Sequence, residues 1–140
     1  MSSFTTPLVV TPMPNGREWE LRQPFEYYRT GAENEVIGVP AGFITDFASV
    51  PRAFWAIFPP WGKYGKAAVL HDWLYSIEYK DSRKLCDDIF YEAMTVLDVS
   101  LWARLVIYRA VRAFGWTVWN RHNRAAVKAL RVKFKVKEQQ

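Results

Sequence analysis

The sequence predicts an α+β fold: strands and loops forming a small antiparallel β-sheet over residues 1–52, a bundle of three to four helices over residues 63–131, and a basic tail over 132–140. Three observations carry that reading. Before Pro51, apolar residues alternate with polar ones between turn residues, the period of strands; after Gly62 they recur every three to four residues, the period of helices. At 140 residues the chain is long enough to bury one core as a single domain. The one cysteine, Cys86, leaves no internal disulfide framework and reads as a small core residue, so packing has to hold the fold.

Taken in order, Pro7, Pro12 and Pro14 keep the first segment out of any helix, and Leu8 to Val10 is expected as a short edge strand. Asn15-Gly16 is a hairpin signal, with Arg17 to Leu21 alternating as the returning strand. Phe25 to Arg29 and Glu35 to Pro40 are rich in strand formers on either side of a turn at Thr30-Gly31. Ala41 to Arg52 is expected as an irregular connection, Arg52 to Phe58 as one helical turn stopped by Pro59-Pro60, and Trp61-Gly62 as a turn.

The helical half opens with Lys66 to Tyr79, whose inward set includes Val69, Leu70, Trp73 and Ile77. Asp81 is the expected N-cap of a second helix from Ser82 to about Leu97. The connection is short, so the two helices should run antiparallel. Ser100 caps a third helix carrying Leu101, Leu105, Tyr108 and Val111 inward and Arg104, Arg109 and Arg112 outward, and Gly115 is expected to end or loosen it before Asn120. Arg121 to Leu130 reads as a fourth helix, and the alternation from Arg131 to Lys137 as a strand or a basic end.

Charge is unevenly divided. Residues 99–140 hold ten Lys or Arg against Glu138 alone, or +9, which leaves −4 for the front of a chain whose net charge is +5. Such a basic, Trp-rich segment suits a phospholipid membrane surface or an acidic partner such as a virion protein. Sequence-specific nucleic-acid readout is not indicated, because no helix-turn-helix or zinc pattern accompanies the charge. No run of about 20 uncharged apolar residues and no basic-then-apolar leader is present, so a chain without signal peptide or transmembrane helix, made in a cytoplasm, is expected.

The stretch that asks for a chemical explanation is Ala67 to Tyr75, which sets His71 and Asp72 side by side in an apolar run, followed by Asp87. Burying an imidazole or carboxylate costs several kcal/mol unless a partner compensates. On an antiparallel pair His71 could meet Asp87, which would fix the tautomer of a general base, and Tyr75, one turn beyond His71, could bond the same carboxylate. Asp72, about 100° around the helix, points elsewhere and could hold a hard cation such as calcium. Asp46 reads as a turn stabiliser or as a further member of the site. His122 is the only other histidine, too few for a metal phosphohydrolase built on His-Asp pairs.

His71-Asp72-Trp73-Leu74-Tyr75, with Asp87 and Phe90 following, resembles the active site of the phospholipase A2 superfamily, most closely its disulfide-poor viral and bacterial forms. The resemblance spans about 30 residues. It implies calcium-dependent hydrolysis of a phospholipid acyl ester, with His71 as base, Asp72 as calcium ligand, Asp87 as partner of His71 and Tyr75 as support. The glycine-rich calcium loop of that superfamily is missing, since Arg52-Ala53-Phe54-Trp55 stands near its place. Over most of its length, through Val39 to Arg52, Ala68 to Tyr75 and Tyr108 to Gly115, the chain also resembles a family of bacteriophage and prophage proteins of unknown function. That implies a phage setting, in infection or in the virion, after synthesis in a bacterial host. Two functions are therefore expected to compete: a phage lipid esterase, and a non-enzymatic virion or host-interaction protein in which His71, Asp72 and Asp87 form a structural network. An open pocket at His71 favours the first and a sealed core the second.

Overall fold

Short strands of alternating burial build the first of two units into which the chain divides, Met1–Phe47 and Ala48–Gln140. The computed structural model describes residues 2–30, 35–46, 52–57, 63–121 and 124–135. In the first unit, β1 (Ser3–Phe4), β4 (Phe25–Tyr28) and β5 (Val36–Val39) make one antiparallel sheet in the order β1-β4-β5. A second antiparallel sheet has the order β2-β3-β6, from β2 (Val10–Pro12), β3 (Trp19–Leu21) and β6 (Ile44–Thr45). Phe25 pairs with Val39 and Tyr27 with Ile37, and all four are buried, while Glu26 and Tyr28 face outward. That is the pattern of a sheet with one dry face. The ring of Phe4 covers Phe25 and Tyr27 at 5.8 and 4.7 Å.

Two strand expectations shift. The hairpin forms between Val10–Pro12 and Trp19–Leu21, and Arg17 and Glu18 lie in its loop, because Asn15 Oδ1 accepts from both their backbone N–H groups and holds them in a turn. Pro12 is tolerated in β2 because the strand is an edge. Ala41 to Thr45 is also not wholly irregular. Gly42, at φ +89°, turns the chain, its N–H donates to Leu21 O at 2.7 Å, and Ile44–Thr45 then pairs with β3. Residue 31 and residues 58–62, where further turns were expected, lie outside the described residues.

The second unit begins with a 3₁₀ turn at Arg52–Phe54 and is otherwise helical: α1 (Gly65–Ser76), α2 (Arg83–Val96), α3 (Leu101–Trp119) and α4 (Arg124–Lys133). α1 is its central element. Every residue of α1 except Lys66 and Ser76 is buried, more than the one-sided set the periodicity suggests, because α2 and α3 both pack on it. Ile89, Phe90, Ala93 and Met94 of α2 and Ile107, Ala110 and Val111 of α3 complete the core, with Cys86 buried among them.

Two helix boundaries also move. α1 stops at Ser76, and the chain reverses through Glu78, Lys80 and Asp81 at φ 47°, 49° and 52°, left-handed positions that non-glycine residues rarely take. Arg131 of α4 secures that reversal by donating to the carbonyls of Ile77 and Glu78, where a helix C-terminus carries partial negative charge. With Asp81 committed to the left-handed turn, the N-cap of α2 is Ser82, extended at φ −130°, whose Oγ accepts from Leu85 N at 3.1 Å. Ser100 caps α3 as expected, accepting from Ala103 N at 3.3 Å. α4 runs to Lys133, so residues 131–133 extend a helix and form neither strand nor tail; residues 136–140 lie outside the described residues. Ser82→Ala should lower unfolding free energy by about 1 kcal/mol in urea titration, whereas Asp81→Ala should not show this loss of a cap.

Candidate functional site

Helix α1 places His71 and Tyr75 one turn apart on the face that meets α2, and α2 answers with Asp87 and Phe90. His71 Nε2 lies 2.7 Å from Asp87 Oδ1, and Tyr75 Oη donates to the same oxygen at 2.6 Å. The other carboxylate oxygen, Oδ2, accepts from Arg112 Nη1 of α3 at 2.7 Å and from Arg83 Nη1 of α2 at 3.3 Å. Arg83 reaches on to the backbone carbonyls of Val111 and Arg112. One carboxylate thus ties three helices together.

The two arginines were not foreseen as site residues. Arg112 was expected on a solvated face with Arg104 and Arg109, but it turns inward to Asp87; Arg104 instead donates to Thr95 Oγ1 at 2.7 Å and lies over the Tyr91 ring. Arg83 could have been found, since it stands four residues before Asp87 on one helix, the spacing of a helical ion pair. Arg112 could not, because its partner lies on another helix 25 residues away.

These contacts fix protonation. Burial pushes the Asp87 carboxyl up, but the hydrogen bonds from His71, Tyr75 and Arg112 outweigh it and hold the group below its ordinary range. Asp87 is therefore an anion and an acceptor at every contact, so the Nε2 of His71 carries the proton. Burial lowers the His71 pKa, beating the raising effect of Asp87, and the charge of Arg83 lowers it further, so the ring is neutral. The remaining nitrogen, Nδ1, then bears a lone pair. It is buried and meets no hydrogen-bond partner among the described residues. The ring is clamped by Phe90, stacked at 4.4 Å, and by Tyr75 at 4.3 Å. Burial raises the Tyr75 hydroxyl well above its ordinary value, and the charge of Asp87 adds to that, so it stays a donor.

Two further residues were expected at the site. Asp72 is 6% exposed, whereas His71 and Asp87 are both 0% exposed. Asp46 follows β6 in the first unit. Calcium takes about six to eight oxygen ligands, and among the described residues no three His, Cys, Asp or Glu side chains are grouped so as to hold a metal ion. Cys86, buried beside Asp87, has its thiol pushed up by burial and then by that charge, so it is protonated and inert.

Gly115 has a different role from a helix terminator. α3 runs through it to Trp119, and a Cβ there would stand 2.5 Å from Tyr75 Oη and 3.2 Å from Arg83 Nη1. Only a hydrogen lets α3 come close enough for Arg112 to reach Asp87, and Trp119 then closes edge-on over Tyr75 at 5.3 Å.

The protein is thus an α+β chain with a His–Asp–Tyr cluster buried between three helices. The chain belongs to the DUF1353 family, described as proteins of unknown function, which matches residues 19–111 and so takes in β3 through most of α3. It is also similar to an uncharacterized protein, y4jT, of Sinorhizobium fredii (strain NBRC 101917 / NGR234), 34% identical over 84 residues. That match covers 57% of this chain and 25% of the relative, so the chain spans a minor part of that protein's length. No solved structure matches.

Two measurements test this geometry. Gly115→Ala should cost about 1–3 kcal/mol in denaturant unfolding, as overpacking against Tyr75 and Arg83 does, although alanine is the better helix former. Acid should also destabilise the fold early. Folded His71 takes a proton less readily than the unfolded chain, so stability falls as pH drops past the ordinary value of about 6.5, and Asp87, held low, adds a further loss below about 3.8. The melting temperature should decline between neutral pH and about 5, and His71→Gln should flatten that decline.

Proposed function

We propose that this chain is a phage-encoded lipid esterase whose general base is His71, acting through a dyad like that of phospholipase A2 during infection or from the virion. The observation that supports this reading is the unpartnered lone pair on Nδ1, on the ring edge opposite an Asp87-bound Nε2. Buried polar atoms in a purely structural cluster normally complete their hydrogen bonds, and the other four arms of this cluster do. A neutral imidazole with its tautomer fixed by a carboxylate is the form that takes a proton from water. In the proposed reaction, water attacks an acyl carbonyl as Nδ1 accepts its proton, and the imidazolium returns that proton to the leaving alkoxide as the ester C–O bond breaks, releasing fatty acid and lysolipid. Asp87, held ionised by Arg83 and Arg112, stabilises the imidazolium without taking the proton itself, and Tyr75 keeps the carboxylate oriented. Because His71 is sealed, turnover requires the Nδ1 side to open.

The burial itself favours a second reading, in which His71, Asp87 and the two arginines are architecture and the chain is a non-enzymatic virion or host-interaction protein. His71→Gln separates the two, since the glutamine amide can still donate to Asp87 but offers no base. With phosphatidylcholine and phosphatidylglycerol vesicles as substrates, wild type should release fatty acid, and His71→Gln should lose about 10²–10⁴-fold in rate while melting close to wild type. Absence of release by wild type from both lipids, with His71→Ala lowering only the melting temperature, would leave the architectural reading. The calcium that the resemblance adds requires a calcium-specific rise in melting temperature, not given by magnesium, that Asp72→Asn removes.

A further inference from the structure

α3 carries a second surface that the Asp87 cluster does not use. Its inward face is spent on Ala103, Ile107, Ala110, Val111 and Gly115. On the opposite side Trp102, Leu105, Arg109 and Trp116 follow one another at helical spacings of three, four and seven residues, a single stripe about 21 Å long. All four are exposed, Trp102 by 63% and Trp116 by 53%. No acidic residue occurs between Val99 and Lys137, so no carboxylate of α3 or α4 opposes Arg109.

We infer that this stripe is an interfacial docking face for an anionic phospholipid surface, with the two indoles entering the headgroup–acyl boundary and Arg109 meeting lipid phosphate between them. Charge decides the occupant. Arg109 sits midway between Trp102 and Trp116, so a second copy of the chain packed on this face about a two-fold axis would set Arg109 against its own counterpart. An anionic bilayer turns the charge of Arg109 into attraction, about 1 kcal/mol per cation near the surface, whereas Arg112 and Arg131 are already spent on Asp87 and on the Ile77 and Glu78 carbonyls. The chemistry of the stripe suits a bilayer rather than a shaped protein groove: indoles at each end with an aliphatic side chain and a cation between them is the make-up of helices that lie in a membrane interface. Among the described residues no helix is long and apolar enough to cross a membrane, so the contact is one of lying on the surface.

The docking face does not depend on His71 being a base, and its test keeps the two apart by using the His71→Gln protein alongside wild type. Both should float with phosphatidylcholine–phosphatidylglycerol vesicles and much less with phosphatidylcholine alone, and binding should weaken as salt is raised. Trp102→Ser with Trp116→Ser, and separately Arg109→Glu, should each reduce binding about tenfold or more while the circular-dichroism melt stays near that of the parent, since all three side chains are exposed. Absence of binding to the mixed vesicles, or binding unchanged in both folded variants, overturns the inference. So does a concentration-dependent dimer in sedimentation equilibrium that these same substitutions dissociate, which would make the stripe a contact between copies of the chain.

Discussion

One buried carboxylate sets the terms for the helical unit. Asp87 lies where an isolated charge would cost several kcal/mol, and it is kept ionised only because four donors converge on its two oxygens. Those donors come from α1, α2 and α3, so the requirement to satisfy one anion becomes a requirement on the positions of three helices. Hydrophobic burial would drive the same helices together without choosing a rotation or register. The charge supplies that choice, because a helix turned by one residue would carry Arg112 or His71 away and take a donor from the buried Asp87 carboxylate.

The demand propagates outward. For Arg112 to reach Asp87, α3 must approach α1 so closely that residue 115 has no room for a Cβ. For α1 and α2 to lie antiparallel with His71 opposite Asp87, the chain must reverse in a few residues, and it does so through three left-handed non-glycine positions. That strain is held by Arg131, brought from α4 to the carbonyls of Ile77 and Glu78, while Phe134 at the end of α4 closes edge-on against Trp73 at 5.6 Å. A second polar bridge, Tyr108 Oη donating to Asp88 Oδ1 at 2.6 Å, reinforces the α2–α3 alignment one residue along from Asp87, and that hydrogen bond first, then burial, pushes the tyrosine pKa up to about 12.

Much of this was legible in residue order, and what was not shares a cause. Alternation over Phe25 to Tyr28 and Val36 to Val39, and the helical period after Gly65, are local signals, so fold class and element order could be read from them. The meeting of His71, Tyr75 and Asp87 was also readable, because a short connection between two amphipathic segments forces an antiparallel pair. Ser82 was missed as a cap because Asp81 is an equally good capping residue by type, and only the left-handed turn disqualifies it. Arg112, Gly115 and Arg131 were misread for a shared reason. Each acts on a residue at least 25 positions away in sequence, and nothing in its own neighbourhood distinguishes an arginine that turns inward, or a glycine that admits another helix, from an exposed or helix-ending one.

The same carboxylate also bears on what the imidazole can do. If Asp87 had only His71 as partner, a proton on the imidazole would complete an ion pair and the histidine would tend to stay charged. With Arg83 and Arg112 already on Oδ2, the anion is balanced more than once over, and a charged His71 would add a third cation to a dry site. Arg112 helps to keep Asp87 an acceptor, which holds the proton on Nε2, and burial first, then the charge of Arg83, keeps the second proton off Nδ1. A basic nitrogen is thus held neutral at the end of a hydrogen-bonded network, its lone pair without a partner among the described residues. A phenylalanine in the slot between Phe90 and Tyr75 would remove the unsatisfied nitrogen but would also take the Nε2 donor from the buried Asp87 carboxylate, so the ring is required by the anion on one edge and meets no partner among the described residues on the other.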